Sequence, residues 1–194
     1  MLNELFIPYR TVDFSPDSEY ADSEEYRQIN LTGKIPSLKI DGIYLSESAA
    51  ILLYLSERSG DESFNPAPGS KVRARLYQWC FYAMAELDAH TLYVINKHGG
   101  PLKKKFGESA IAVHTAKEGF EMQITKVEKE LNDGREFILG DNFSAADILL
   151  GTCVESARRI KQYAELNIPH VCLSYWENLK KREGFIKADK RNNP

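Results

Sequence analysis

The segment Asn65-Pro66-Ala67-Pro68-Gly69 divides this chain of 194 residues into two unequal parts. Two prolines and a glycine within five residues break any helix, and such a segment is typical of a domain boundary. Before it, residues 8–45 hold short strand-like runs, whereas the apolar spacing beyond it is helical almost throughout. We therefore expect an α+β protein, with an α/β domain at 1–60, a linker at 61–70 and an all-α domain at 71–194.

The composition excludes several classes of protein and partner. With 25 basic and 28 acidic side chains the net charge is −3, so the chain has no general attraction for nucleic acid or an anionic membrane. Its longest apolar run, Ala49–Leu55, is far shorter than the roughly 18 residues that suggest a membrane span, and Met1–Leu5 does not resemble a signal peptide. Three cysteines without a C-x-x-C pair, and four histidines without ligand spacing, indicate a reducing, cytoplasmic compartment and no metal site.

A hairpin and a helix are predicted for the end of the first domain. The pair Asp41-Gly42 lies between the apolar runs Ser37–Ile40 and Ile43–Leu45, and it suits the two positive φ angles of a type I′ turn. Ser46 is a good N-cap for the helix that follows. A further extended run, Tyr9–Phe14, follows a proline and is expected to form a strand.

Four helices are predicted for the second domain from their apolar spacing. Their expected ranges are Lys71–Leu92, Glu108–Leu131, Phe143–Tyr163 and Cys172–Arg182. In the third, Ser144 at the N-cap and Asp147 at N3 can satisfy each other's free backbone donors as a capping box. The face of this helix is mostly small or apolar, so we expect it to lie in the middle of the helical domain.

Two stretches of the first domain carry residues suited to chemistry. They are Asn30-Leu31-Thr32-Gly33-Lys34-Ile35-Pro36-Ser37-Leu38 and Tyr44-Leu45-Ser46-Glu47-Ser48-Ala49-Ala50-Ile51-Leu52-Leu53-Tyr54-Leu55. In this order they resemble the glutathione-binding half of a cytosolic glutathione transferase, which reads close to N-P-x-G-K-V-P and E-S-x-A-I-x-x-Y-L. The linker and the segment Phe143-Ser144-Ala145-Ala146-Asp147 are also similar to the family, so that the resemblance covers almost the whole chain.

The resemblance implies a fold, an activity and partners. The fold would be a thioredoxin-like α/β N-terminal domain followed by an all-α bundle. The activity would be conjugation of the glutathione thiol to a small electrophile, with glutathione as co-substrate, a homodimer as the assembly and no metal. Two alternatives stay open, a non-catalytic binding or scaffold protein of the same fold and a glutathione-dependent isomerase.

The resemblance also assigns glutathione contacts to Lys34, Ile35, Pro36, Glu47 and Ser48. A cis Ile35–Pro36 bond would turn the Ile35 N–H and C=O outward to pair with the cysteinyl backbone; without the resemblance, a trans proline opening the strand is the simpler interpretation. The helix start at Glu47-Ser48 suits a carboxylate, with Glu47 placed for the γ-glutamyl α-ammonium, although plain helix capping explains the same residues. Lys34 either reaches the glycyl carboxylate or is simply solvated.

The resemblance implies one more glutathione contact, from the first long helix of the second domain. In some family members an acidic residue late in this helix reaches across the dimer to the γ-glutamyl ammonium. Glu86 and Asp88 are both candidates here, with Asp88 preferred, and a solvated helix face is the alternative. Asn30 is expected to be a turn residue rather than a ligand contact.

The chain departs from the family pattern at its start. Family members begin with a strand, a turn that carries the catalytic Ser, Tyr or Cys, and a full first helix, whereas Met1–Phe6 resembles only the last turns of that helix. We therefore expect the first, central strand to be missing and the thiol-activating residue to lie upstream of Met1, which leaves the catalytic residue unknown. Tyr9 and Ser15 lie on the wrong strand and in the following loop, so we expect this chain to conjugate glutathione poorly.

Overall fold

A computed structural model of the protein describes residues 1–15 and 18–192. The described regular structure consists of one two-stranded sheet and a set of helices. The strands are β1 (Ser37–Ile40) and β2 (Ile43–Ser46). The helices are α1 (Glu19–Asp22), α2 (Glu24–Ile29), α3 (Ser48–Ser59), α4 (Lys71–Tyr82), α5 (Tyr93–His98), α6 (Lys103–Phe106), α7 (Ala110–Leu131), α8 (Ala145–Arg159), α9 (His170–Leu179) and α10 (Glu183–Asn192).

The two strands form the antiparallel hairpin that the turn chemistry predicts. Ser37 pairs with Ser46 and Ile40 pairs with Ile43. The two turn residues between them, Asp41 and Gly42, both have positive φ, at 49° and 81°. A type I′ turn requires positive φ at both central residues, so the hairpin prediction is confirmed.

The predicted strand Tyr9–Phe14 is wrong. Among the described residues the sheet contains β1 and β2 alone, and residues 7–15 run as irregular chain. An extended segment becomes a strand only when a neighbour takes up its backbone hydrogen bonds, and none does so here. The segment is held by side chains instead, because Arg191 of α10 donates to Thr11 and to Asp13.

The start of α3 also differs from the expectation. Ser46 is the last residue of β2 rather than the N-cap, and the helix begins at Ser48 after Glu47. Glu47 has φ 69° and forms no capping bond with its side chain. The hairpin register explains the shift, because Ser46 is already paired with Ser37 across the sheet.

The first long helix of the second part is continuous but not uniform. It runs through α4, a π-helical segment at Ala83–Leu92 and α5, so it ends at His98 rather than at the predicted Leu92. Both Gly99 and Gly100 donate their backbone N–H to the Ile95 carbonyl. These two bonds close the last turn of α5.

Helix α8 lies at the centre of the helical part, as expected. It packs against α3, α4, the π-helical segment and α9, and nine of its fifteen residues are buried. At its start, Ser144 and Asp147 form a capping box. The Ser144 N–H and hydroxyl both donate to Asp147 Oδ2, and the Ile138 N–H and the Tyr175 hydroxyl donate to Oδ1.

The N-terminal segment is attached to the C-terminal helix. Glu4 forms an ion pair of 2.8 Å with Arg182, which also lies 3.7 Å from the centre of the Phe143 ring. The Asn3 amide donates to the Gly184 carbonyl at 3.3 Å. A Cβ on Gly184 would lie 2.5 Å from a Glu4 carboxylate oxygen, so a larger residue at this position would displace the Glu4 side chain.

Candidate functional site

The loop between α2 and β1 is held by its own side chains. The Asn30 amide is buried, and its oxygen accepts from the Thr32 N–H at 3.2 Å and the Thr32 hydroxyl at 2.8 Å. Its nitrogen donates to the Lys34 carbonyl at 2.7 Å, and the Tyr26 hydroxyl donates to the same carbonyl at 2.7 Å. Asn30 is therefore a turn residue, as predicted, and the loop has a fixed shape.

The end of this loop presents free backbone groups. The Ile35–Pro36 bond is cis, and the Ile35 residue is 46% exposed. Within residues 1–15 and 18–192, no protein group hydrogen-bonds to the Ile35 N–H or C=O. These two groups are available to an extended peptide.

The start of α3 offers free backbone donors. The first bond of the helix runs from the Ile51 N–H to the Glu47 carbonyl, so the preceding amides have no partner within the helix. Glu47 contributes no side-chain cap, and its positive φ is a strained conformation for a residue with a side chain. Unpaired amides and the positive end of the helix dipole favour an anion at this position.

One cavity joins these elements to the helical part. It has a volume of about 420 Å³ and a mostly apolar lining. Pro36 and Ser48 lie on its N-terminal side, and Met84, Asp88 and Thr152 lie on the side of the long helix and α8. Three of the residues predicted from the sequence, Pro36, Ser48 and Asp88, therefore share one cavity.

Asp88 lines the cavity of its own chain, whereas the resemblance places the corresponding contact across a dimer. Burial raises the pKa of its carboxyl group, and the nearby Lys34 ammonium partly opposes that rise. In the described part of the chain, its carboxylate takes part in no hydrogen bond and no ion pair. The other candidate, Glu86, lies 4.0 Å from His90 and does not line the cavity.

Lys34, Ile35 and Glu47 lie beside the cavity rather than in its lining. The Lys34 ammonium lies 4.8 Å from the centre of the Tyr93 ring. Such an exposed cation–π contact is worth only about 0.5–1 kcal/mol, so the side chain can leave it for a carboxylate at little cost.

Several cavity residues were not singled out from the sequence. Met84 comes from the π-helical segment, Ile148, Thr152 and Cys153 come from α8, and Gly184 and Ala188 come from α10. The Cys153 thiol is not an anionic group, because burial raises its pKa strongly and it donates to the Ala83 carbonyl at 3.6 Å. The regular apolar spacing of α8 predicts that this face packs in the core. The spacing does not show which residues of the face line a cavity instead.

Tyr82 does not face the cavity. Its hydroxyl donates to the Gln123 carbonyl at 2.9 Å, and burial raises its pKa to about 12. It is therefore unsuited to activate a thiol in this cavity.

In the described ranges, no group of three potential ligands is placed to hold a metal ion, and no helix is long and apolar enough to cross a membrane.

Comparison with known proteins matches both parts of the chain. Residues 1–63 match the model of the glutathione S-transferase N-terminal domain, and residues 110–178 match that of the glutathione S-transferase C-terminal domain. Two Drosophila melanogaster proteins named probable maleylacetoacetate isomerase 1 and 2 are 33% and 30% identical, over 74% and 88% of this chain. These alignments cover 55% and 70% of the two relatives.

The solved structures agree with this assignment. A sphingomonad glutathione S-transferase, whose structure is a complex with glutathione, superposes with a TM-score of 0.69 at 26% identity, over 88% of this chain and 79% of that one. In this chain the hairpin and α3 come first, and the helical part centred on α8 follows. The chain therefore belongs to the glutathione S-transferase family, with a thioredoxin-like N-terminal domain followed by a helical C-terminal domain.

Proposed function

We propose that this chain binds glutathione at the cavity between its two domains and presents the thiol to a second substrate. The observation that carries the proposal is that Pro36, Ser48 and Asp88 line one cavity. Glutathione is an extended tripeptide with a carboxylate at each end, and the cavity offers anion donors, free peptide groups and a carboxylate within one region.

Each part of glutathione has a complementary group. The γ-glutamyl carboxylate accepts hydrogen bonds from the free amides of α3 and from the Ser48 hydroxyl. The γ-glutamyl ammonium forms ion pairs with Glu47 and Asp88. The cysteinyl backbone pairs with the Ile35 N–H and C=O beside Pro36 as an added strand would. Lys34 turns from the Tyr93 ring to the glycyl carboxylate. In this arrangement Asp88 acts within its own chain.

The proposed reaction is attack of the glutathione thiolate on an electrophilic carbon, as in the detoxification of small electrophiles. A free thiol has a pKa near 8.5, so only a few per cent is thiolate at neutral pH, and a donor that stabilises the anion raises the rate. We assign this role to no residue of the chain. A binding protein without turnover uses the same glutathione contacts and is distinguished by assay.

A second candidate is glutathione-dependent isomerisation. The names of the two Drosophila relatives, at 33% and 30% identity, favour it. Reversible addition of the thiolate to a carbon–carbon double bond allows rotation about that bond, and expulsion of the thiolate then regenerates glutathione. Consumption of free thiol separates the two activities, because a transferase consumes glutathione and an isomerase returns it.

We also propose that the protein is a cytoplasmic homodimer. Apolar side chains are exposed on both domains, with Ile43 at 49%, Tyr44 at 44% and Phe81 at 61%. All three cysteines are buried and free, which suits a reducing compartment. Sedimentation at micromolar concentration measures the assembly, and a monomer there would contradict the dimer.

Calorimetric titration with glutathione tests the binding proposal. Ser48→Ala removes a hydroxyl from the cavity and should weaken binding by about 1 kcal/mol, or roughly fivefold. Ser46→Ala, two residues earlier and exposed on β2, is the matched control and should bind like the wild type. Equal affinities for the two variants would contradict the placement of the γ-glutamyl end, and no binding by the wild type would refute the proposal.

A further inference from the structure

The peptide unit between Lys34 and Ile35 is held from one side by two side chains of the preceding segment. We infer that Tyr26 and Asn30 are positioning residues that fix this unit, so that the Ile35 N–H faces the cysteinyl carbonyl of glutathione. The inference rests on the proposed function and adds two residues that do not themselves touch the ligand.

Both side chains donate to the same atom. The Tyr26 hydroxyl and the Asn30 amide nitrogen each lie 2.7 Å from the Lys34 carbonyl oxygen. A carbonyl oxygen has two lone pairs, so these two donors use its full capacity. The carbonyl is therefore directed toward α2, and it has no capacity left for a ligand.

The direction of each bond follows from proton counting. The Tyr26 hydroxyl has one proton, which it gives to the Lys34 carbonyl, so the Ser37 hydroxyl at 3.0 Å must be the donor to Tyr26. The Asn30 amide is oriented unambiguously, because the Thr32 N–H can only donate and the Lys34 carbonyl can only accept. All polar atoms of this small network are thus satisfied.

Planarity of the peptide transmits the constraint. In a trans peptide unit the C=O and the following N–H point in opposite directions. When the Lys34 carbonyl is directed toward α2, the Ile35 N–H must point away from it. The Ile35 N–H has no acceptor within residues 1–15 and 18–192, which agrees with a donor held ready for a ligand.

Tyr26 and Asn30 are both buried, so their hydrogen bonds to the Lys34 carbonyl are part of the packed structure rather than surface contacts. Tyr26 is 3% exposed and Asn30 is 7% exposed. The Tyr26 ring packs edge-on against Phe14 at 4.8 Å and lies 5.7 Å from Tyr20. The neighbouring Tyr20 hydroxyl contacts Glu25 at 3.4 Å at an exposed position, and Tyr20 provides a matched control within the same cluster.

Removing one donor should lower the fraction of molecules in which the Ile35 N–H points toward the ligand, without dismantling the loop. Tyr26→Phe keeps the ring and its packing, and Asn30→Asp keeps the oxygen that accepts from Thr32. Glutathione stays bound through its other contacts, but its hydrogen bond to the Ile35 N–H is weakened, so each variant should bind glutathione about three- to tenfold more weakly. Tyr20→Phe should bind like the wild type.

The test combines calorimetry with ¹H–¹⁵N correlation spectra of the full chain, using reduced glutathione as the probe. In the free wild type, the Ile35 amide should exchange with solvent as an exposed amide does. Saturating glutathione should shift both the Ile35 and the Ser48 amide signals. In Tyr26→Phe and Asn30→Asp, the shift of Ile35 at saturation should shrink while that of Ser48 is retained.

The possible outcomes separate this inference from the proposed function. A wild type in which neither amide responds to glutathione refutes the proposed function. A wild type that responds, with variants that match it in affinity and in the Ile35 shift, overturns the positioning role alone. If the variants lose the Ile35 and Ser48 shifts equally, the two side chains have a merely structural role, and the positioning role is overturned. An Ile35 amide that is protected from exchange in the free wild type also overturns the positioning role, and that measurement requires no variant.

Discussion

Replacement of Asp147 by alanine should destabilise the protein more than any other single change at a helix start. Its carboxylate accepts four hydrogen bonds of 2.7–2.8 Å, from the Ile138 N–H, the Ser144 N–H and hydroxyl, and the Tyr175 hydroxyl. Alanine leaves these buried donors unsatisfied, at about 1–3 kcal/mol each. Relief of carboxylate burial, which raises the pKa of Asp147, offsets part of this, so we expect a net loss of about 3–5 kcal/mol.

Urea unfolding followed by circular dichroism measures this loss. In thermal unfolding, at about 2–4 °C per kcal/mol for a chain of this size, the midpoint should fall by about 6–20 °C. Ser109→Ala is the matched control, because Ser109 caps α7 through one bond of 3.3 Å at a partly exposed position, and should cost about 1 kcal/mol. If Asp147→Ala cost no more than Ser109→Ala, the central role of this network would be refuted.

Three further changes test other parts of the structure. Glu4→Gln removes the ion pair with Arg182, so α10 should become more sensitive to limited proteolysis, whereas Glu183→Gln on the exposed pair with Lys187 should not. Gly33→Ala should destabilise the protein by at least about 1 kcal/mol in urea, because Gly33 has φ 67° and its Cβ would lie 2.8 Å from the Ala21 carbonyl. Burial raises the pKa of Asp88 above 3.8 in the folded state, so the wild type loses stability as pH rises from 3.8 through that raised value. Asp88→Asn lacks this titration and should therefore gain stability relative to the wild type over the same pH range. Equal pH profiles of the two proteins would contradict the burial of this carboxylate.

Local chemistry made the hairpin and the capped start of α8 predictable. The positive φ of Asp41 and Gly42 follows from the turn type alone, and Ser144 with Asp147 is a pattern of four consecutive residues. The error at Ser46 has the same origin. A serine before a helix is a good cap by local rules, but the pairing of Ser46 with Ser37 across the sheet takes precedence.

Features held by distant residues could not be predicted. Helix α10 buries only Gly184, and its contacts are with residues about 180 positions away, such as Asn3 and Asp13. The same holds for the irregular course of Tyr9–Phe14, which depends on the absence of a hydrogen-bonded neighbour among the described strands. Sequence periodicity carries no information on either point.

The candidate site was predictable in part. The resemblance to the family indicated Pro36, Ser48 and Asp88, but the cavity is completed by Met84 and Thr152 from two distant helices. Helical spacing shows that such residues lie on a common face and does not show whether that face meets protein or a cavity. The placement of Asp88 beside Ser48 in one chain therefore required the structure.

A crystal structure of the chain with glutathione would show whether the ligand occupies the cavity lined by Pro36, Ser48 and Asp88. We expect the γ-glutamyl carboxylate at the Ser48 amide and hydroxyl, the cysteinyl backbone within hydrogen-bond distance of the Ile35 N–H, and the γ-glutamyl ammonium close to Asp88 of the same chain. Glutathione bound elsewhere, or bound in the cavity without a contact to Ile35 and Ser48, would contradict it.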